Sequence, residues 1–201
     1  ALRERVRCYC DPLPIWYAPL EQEAHDVSVF PFSAVTQRPM AMYHSWGSMN
    51  AWLRQIHGAN RLYMSRAKGE AMGIAQDDWV WVESRNGRVK GQVTLMEGVN
   101  PDTVWTWNAI GKRAGAWMLS PDAAEAQRGF LLNHVISEWL PAQTGPRLAN
   151  ADPITGQAAW YDLRVNIKKC ARGEEGITAP HPSTLTPPPN MPEPPDILRF
   201  N

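Results

Sequence analysis

A chain of 201 residues is long enough to bury a core of its own, and it fits one domain with room for a tail. Its 20 lysines and arginines balance its 20 aspartates and glutamates, so the basic surplus expected of a sequence-independent nucleic-acid binder is missing. No apolar run approaches the roughly 20 residues of a membrane-spanning helix, which argues against direct membrane insertion.

Residues 1–27 read as an extended leader. Pro12, Pro14 and Pro19 punctuate it, and the polar run EQEAHD suits a surface path. The opening ALRERVRCYCDPLP carries neither a methionine nor the apolar core of a signal peptide, so a processed chain or a piece of a longer one is expected. Of the three cysteines, Cys8 and Cys10 form half a metal-site pattern, but no second Cys or His pair stands at ligand spacing. An odd count excludes a full disulfide framework within the chain, and free thiols fit a reducing compartment. The five histidines are scattered, without the paired spacing of a zinc helix.

The globular part runs over residues 28–170. Strands are expected at Val29–Val35, Met40–Tyr43, Thr103–Trp107 and Leu163–Lys168, and short helices at Met49–Gln55 and after Ser120, where Pro121 suits a first helical position. Ser65 is a candidate helix N-cap and Gly73 a helix stop. The clearest signal is a hairpin, DDWVWVESRNGRVKGQVTLM, alternating on both sides of Asn86-Gly87. Val80 and Val82 share one face, matched by Val89, Gly91, Val93 and Leu95 on the returning strand. Short strands, few short helices and abundant Gly and Pro point to a mainly β barrel. Residues 171–201, rich in proline from 179 onward, read as an extended tail without a core.

One stretch fits poorly with an ordinary core. Between aromatics and methionines, VFPFSAVTQRPMAMYHSWGSMNAWLRQIHGANRLY carries Thr36, Gln37, Arg38, His44, Ser45, Asn50 and Asn60, with neither a common charge sign nor a helical spacing. Its order of parts resembles the dinucleotide-binding domain of the dimethyl sulfoxide reductase superfamily of molybdopterin oxidoreductases. The resemblance rests on Thr36-Gln37-Arg38 at a strand end, the His44-Ser45 pair, the helix around Asn50, Trp52, Leu53 and Arg54, and the block RLYMSRAKGEAMGIAQDDWVWVESRNGRVKGQV. Asn133 in GFLLNHVI and Gly156-Gln157 before the last strand continue it. Asp77 departs from the pattern, standing where the family often has glycine. The resemblance covers the chain from about Asp11 to Lys169, leaving out the tail.

The resemblance implies a six-stranded double-psi β-barrel of the aspartate-decarboxylase-like type. It also implies a molybdenum (or tungsten) cofactor held by two molybdopterin guanine dinucleotides, with an iron–sulfur cluster elsewhere in the parent protein. A pterin and a guanine are flat rings with dense donor and acceptor edges, and each buried edge left unpaired costs on the order of 1–3 kcal/mol. Neutral amides and hydroxyls meet that need. Arg38 adds a charge-assisted bond, and His44 donates or accepts according to its tautomer. The candidate cofactor contacts are therefore Thr36, Gln37, Arg38, His44, Ser45, Asn50, Asn108, Lys112, Asn133 and Gln157. Each has a local alternative. Thr36 and Ser45 could bond backbone, Asn50 could cap a helix, and Asn108 and Lys112 could lie in a solvated loop.

The implied function is a cofactor-binding fragment of a molybdenum oxidoreductase, inactive alone because the metal-coordinating side chain lies in another domain. The YHSWGSMNAWL texture is most similar to the branch acting on thiosulfate, polysulfide and sulfite. The expected partners are the remainder of the catalytic subunit, a membrane anchor subunit and an iron–sulfur electron-transfer subunit. The compartment is left open, leaning cytoplasmic or peripheral to the inner membrane. Two competitors stand beside this reading. One is a freestanding barrel serving as an interaction module, with its tryptophans and proline tail as partner surface. The other is a self-processing decarboxylase cleaved at Gly47-Ser48.

Overall fold

Alternation of apolar and polar residues decides the faces of the strands. In the computed structural model, which describes residues 3, 7, 13, 26–44, 46–47, 50–108, 110, 129–136, 157–158 and 163–176, the strands are β1 (Phe32–Gln37), β2 (Leu62–Ser65), β3 (Trp79–Ser84), β4 (Gly87–Met96), β5 (Thr103–Trp107) and β6 (Leu163–Lys169). The two helices among the described residues are short, α1 (Ala51–Ile56) and α2 (Arg66–Ala71). No helix of the described residues is long and apolar enough to cross a membrane.

The six strands close into a barrel in the order β1-β5-β2-β4-β3-β6. Two neighbouring pairs are parallel, β1 with β5 and β2 with β4, and the other pairings are antiparallel. The expected closed six-stranded barrel is thus the observed one. Every second residue points inward: Phe32 and Ala34, Leu62 and Met64, Val80 and Val82, Val93, Val104, and Leu163, Val165 and Ile167 form one buried cluster. Burying each Leu, Val or Ile side chain contributes about 1.5–3 kcal/mol, and closure leaves the barrel wall without an unpaired strand edge.

Differences from the sequence reading have physical reasons. The first strand is shifted to Phe32–Gln37, because Val29 and Phe30 are held in a turn by Asp26, whose carbonyl accepts from both N–H groups. Met40–Tyr43 forms no strand, although its pattern alternates. Both neighbours of β1 are already taken, so a closed barrel offers no edge there; the chain instead turns, with Met42 N–H donating to Pro39 O at 3.1 Å. The hairpin faces are as expected, but its two tip residues are Arg85 and Asn86, since Ser84 pairs with Gly87. Ser84 Oγ accepts the Asn86 N–H at 3.0 Å, which closes the turn one residue early.

Helix α1 starts where Asn50 Oδ1 accepts the N–H groups of Trp52 and Leu53 at 2.9 and 3.3 Å, an N-cap. Ser65 occupies the N-cap position of α2 without making a side-chain cap bond. That helix stops at Gly73, whose left-handed φ of 71° lets Ile74 N–H return to Gly69 O. Asp77 also adopts a left-handed φ, 67°, the conformation that explains a glycine preference at this point. The expected leader except for positions 3, 7, 13, 26 and 27, the helix after Ser120 and the proline-rich tail from 179 lie outside the described residues.

Candidate functional site

Strand directions divide the barrel into two ends. At the exit end β1 and β5 finish together, β2 and β6 begin, and the β3–β4 hairpin turns. At the opposite, entry end β1, β3 and β5 begin and α2 follows β2. Among the candidates whose positions the structure describes, Thr36, Gln37, Arg38, Asn108 and Asn133 lie at the exit end, and His44 and Asn50 lie in the connection leaving it.

Thr36 stands beside Thr106 and Gln37 beside Trp107 in the parallel β1–β5 register. Asn108 N–H then donates to Gln37 O at 2.8 Å, which prolongs the pairing by one residue past the strand ends. By strand alternation Thr36 shares the face of Phe32 and Ala34 and is half-buried, whereas Gln37 and Arg38 are exposed. Carboxyl ends of parallel strands commonly carry ligand sites, because the diverging loops leave a crevice there. The geometry therefore brings Thr36, Gln37, Arg38 and Asn108 together.

A residue outside that candidate set organises the same place. Asn60, 4 % exposed, precedes β2. Its Nδ2 donates to the carbonyls of Trp107, Ile110 and Phe130 at 2.8, 2.9 and 2.9 Å. Its Oδ1 accepts from Thr106 Oγ1 at 2.7 Å and from Trp107 N–H at 3.1 Å. One neutral amide thus joins the start of β2, the end of β5 and the segment that follows. Its signal in the sequence is faint, an asparagine directly ahead of a strand, because its partners are 46 to 70 residues away.

Residues 129–136 cross this end. Phe130, Leu132 and Val135 join the core cluster, and Phe130 lies over Gly91, where an added Cβ would stand 2.6 Å from the ring. Val135 O accepts from Ser84 Oγ at 2.6 Å and from Asn86 Nδ2 at 3.3 Å, tying the segment to the hairpin turn. Asn133 is exposed on the 3-10 turn Leu132–Val135. Beside it, burial pushes the His134 imidazole below its ordinary pKa.

The remaining candidates are looser neighbours. His44 is half-buried with a left-handed φ of 48°, its ring edge-on to Tyr43 at 5.3 Å. A non-glycine residue in that conformation stores backbone strain, a feature concentrated at functional sites. Asn50 uses its side-chain oxygen to cap α1. Gln157 is exposed, ahead of the strand β6 whose first residue lies at the exit end. Ser45, Lys112 and the serine of Gly47-Ser48 lie outside the described residues. On the outer wall, Tyr63 stacks on Trp105 at 3.8 Å, and Trp107 closes the cluster edge-on while its Nε1 donates to Tyr63 Oη at 3.3 Å.

Two observations bear on what could bind. Among the described residues, no group of three His, Cys, Asp or Glu side chains is placed to hold a metal ion. The buried Oδ1 of Asn108, by contrast, has no hydrogen-bond partner among the described residues. A buried acceptor left unpaired costs on the order of 1–3 kcal/mol, and it fits a ligand that brings an N–H donor, as the edges of guanine and pterin rings do.

Comparison with known proteins decides the family. The family described as "Molydopterin dinucleotide binding domain" matches residues 32–151, more than half of the chain. The chain belongs to this family. A sulfite dehydrogenase from Allochromatium vinosum contains a similar domain in one of its subunits, 58 % identical over 180 residues, which is 89 % of this chain and 19 % of that protein. The thiosulfate reductase molybdopterin-containing subunit of Salmonella typhimurium is 28 % identical over 85 residues, 42 % of this chain and 11 % of that protein. The fold of this dinucleotide-binding domain recurs in acetylene hydratase from Pelobacter acetylenicus, with a TM-score of 0.58 at 17 % identity, covering 82 % of this chain and 22 % of the other. The resemblance to the dimethyl sulfoxide reductase superfamily is borne out. The chain spans about a fifth of the length of its sulfite dehydrogenase relative.

Proposed function

We propose that this domain supplies one wall of the molybdenum bis(molybdopterin guanine dinucleotide) site in a larger oxidoreductase, one whose substrate is an inorganic sulfur compound such as sulfite or thiosulfate. The unpaired buried Oδ1 of Asn108, at the point where β1 and β5 end together, carries the reading. Family membership and the 58 % identity to a sulfite dehydrogenase support the cofactor and the substrate class.

In this scheme Asn108 accepts from a ring N–H, and Thr36, Gln37 and Asn133 pair the remaining edges of the buried dinucleotide. Arg38, exposed just past β1, makes a charge-assisted bond to a phosphate or ring carbonyl. His44 and Ser45 approach from the loop after β1. Asn50 spends its oxygen on α1 and keeps its amide N–H groups to offer, while Lys112 and Gln157 complete the set from the neighbouring loops. When bound, the cofactor supplies the two-electron chemistry, and the protein contributes binding, orientation and the exclusion of water. Residues 1–27 serve as a leader from a preceding domain, residues 28–170 as the barrel and residues 171–201 as an extended tail. Iron–sulfur and membrane-anchor subunits would carry the electrons away.

Metal and nucleotide analysis of the full-length protein tests this reading. Arg38→Ala and Asn108→Ala should each copurify with less molybdenum and less guanine nucleotide than the parent, at unchanged yield of folded protein. Parent-level cofactor in both variants would remove the site from the exit end.

A further inference from the structure

We infer that Asn60 is a positioning residue that aims Asn108 at the bound dinucleotide; this rests on the reading of the exit end given above. The argument is one of backbone geometry. The peptide between Trp107 and Asn108 is held on both sides, its carbonyl accepting from Asn60 Nδ2 at 2.8 Å and its N–H donating to Gln37 O at 2.8 Å. The preceding peptide is fixed as well, since Trp107 N–H donates to Asn60 Oδ1 at 3.1 Å. Beyond Asn108, Ile110 O is bound to the same Nδ2 at 2.9 Å. Asn108 is thereby clamped from 107 to 110 by one buried amide that itself touches no open surface.

The same amide reaches across the end of the barrel. Its Nδ2 carries two hydrogens and meets three carbonyls, so Trp107 O, Ile110 O and Phe130 O share donors. The Trp107 N–H, which can only donate, fixes which end of the amide faces which partners, and the fully buried Thr106 Oγ1 donates to the same Oδ1. Such saturation leaves Asn60 no free bond for a ligand, whereas Asn108 Oδ1, on a backbone held by the same amide, has no partner among the described residues. The division of labour matches that of ligand-orienting residues behind a metal or cofactor contact, where removal costs about tenfold or more in affinity.

The test uses the full-length protein loaded with cofactor and follows release of molybdenum and guanine nucleotide, beside urea unfolding. Asn108→Ala, Asn60→Ala and the double variant are compared, with Ile74→Ala as a stability control in the core at the entry end. Release should quicken about tenfold in Asn60→Ala. It should quicken no further in the double variant than in Asn108→Ala, the non-additivity of residues acting as one unit. Thr106→Val, isosteric and milder, should show the same non-additivity and stands in for Asn60→Ala where that variant does not accumulate. Additive effects, or equal release from Ile74→Ala, would overturn the positioning role while leaving the site intact. Parent-level release from Asn108→Ala would overturn the reading of the site itself.

Discussion

The two ends of the barrel are built from different chemistry. At the entry end the links are charged and wet: Arg66 pairs with Glu97 and with Glu70, Lys68 with Asp102 at 3.6 Å, and Lys169 with Asp78 at 2.6 Å. At the exit end the buried links are neutral, through Asn60, Thr106, Ser84 and the carbonyls of Phe130 and Val135, and charge stays on the outer face, where Glu83 pairs with Arg88 at 3.8 Å and with Lys168 at 2.6 Å. Exposed ion pairs contribute at most about 1 kcal/mol each and fade with salt. A buried neutral network is unaffected by salt and costly to leave half-made. The contrast teaches that surface charge links the entry end, while the exit end holds, behind its outer ion pairs, a fixed array of neutral hydrogen-bonding groups, as a neutral heterocycle requires.

Breaking the buried network should have the largest effect. Asn60→Ala strands several buried donors and acceptors, each worth about 1–3 kcal/mol, so urea unfolding should show a loss of roughly 3 kcal/mol or more. A loss below about 1 kcal/mol would mean that water replaces the amide and the contrast fails. Gly91→Ala comes next: its new Cβ would press on the Phe130 ring, and overpacking of that kind costs about 1–3 kcal/mol. Proteolysis within residues 129–136 should quicken with it, because Phe130 is the anchor displaced.

At the entry end the double change Glu97→Gln and Asp102→Asn should lower stability by no more than about 2 kcal/mol in dilute buffer. The difference should close toward zero at about 1 M salt, where screening reaches only about 3 Å. Persistence of the full difference in high salt would erase the distinction between the ends. The smallest effect concerns pH. Because the folded pKa of His134 lies below its ordinary value, the unfolded chain binds the proton first as pH falls. Stability is therefore whole above the unfolded value near 6.5 and declines as pH drops through the folded one. His134→Gln should flatten that part of the stability curve, measured by thermal unfolding from pH 7.5 down to about 5.

Local patterns were readable in the chain, and long-range ones were not. The faces of the hairpin, the cap at Asn50, the stop at Gly73 and the special backbone at Asp77 all depend on residues a few positions apart, and sequence displays such spacing. The strand expected at Met40–Tyr43 failed for a reason no local window contains, the closure of the barrel around β1. Asn60 went unrecognised as an organiser because nothing nearby in the chain marks it; its role exists only once β5 and Phe130 are folded against it. The exit-end grouping of Thr36, Gln37, Arg38 and Asn108 lies between these cases. Each was singled out by type and resemblance, but the parallel register is what makes them neighbours.

The order of closure carries a consequence for how the chain is made. Strand β6 pairs with both β1 and β3, and it is the last of the six to be synthesised. Until it emerges, β1 waits with one edge open across more than a hundred residues of chain, and β3 waits on the other side. Open edges of that kind are templates for wrong partners, and such distant pairing is slow. A nascent or truncated chain ending before Leu163 should be a substrate for chaperones, and the final seven-residue strand acts as the latch that removes it from their reach.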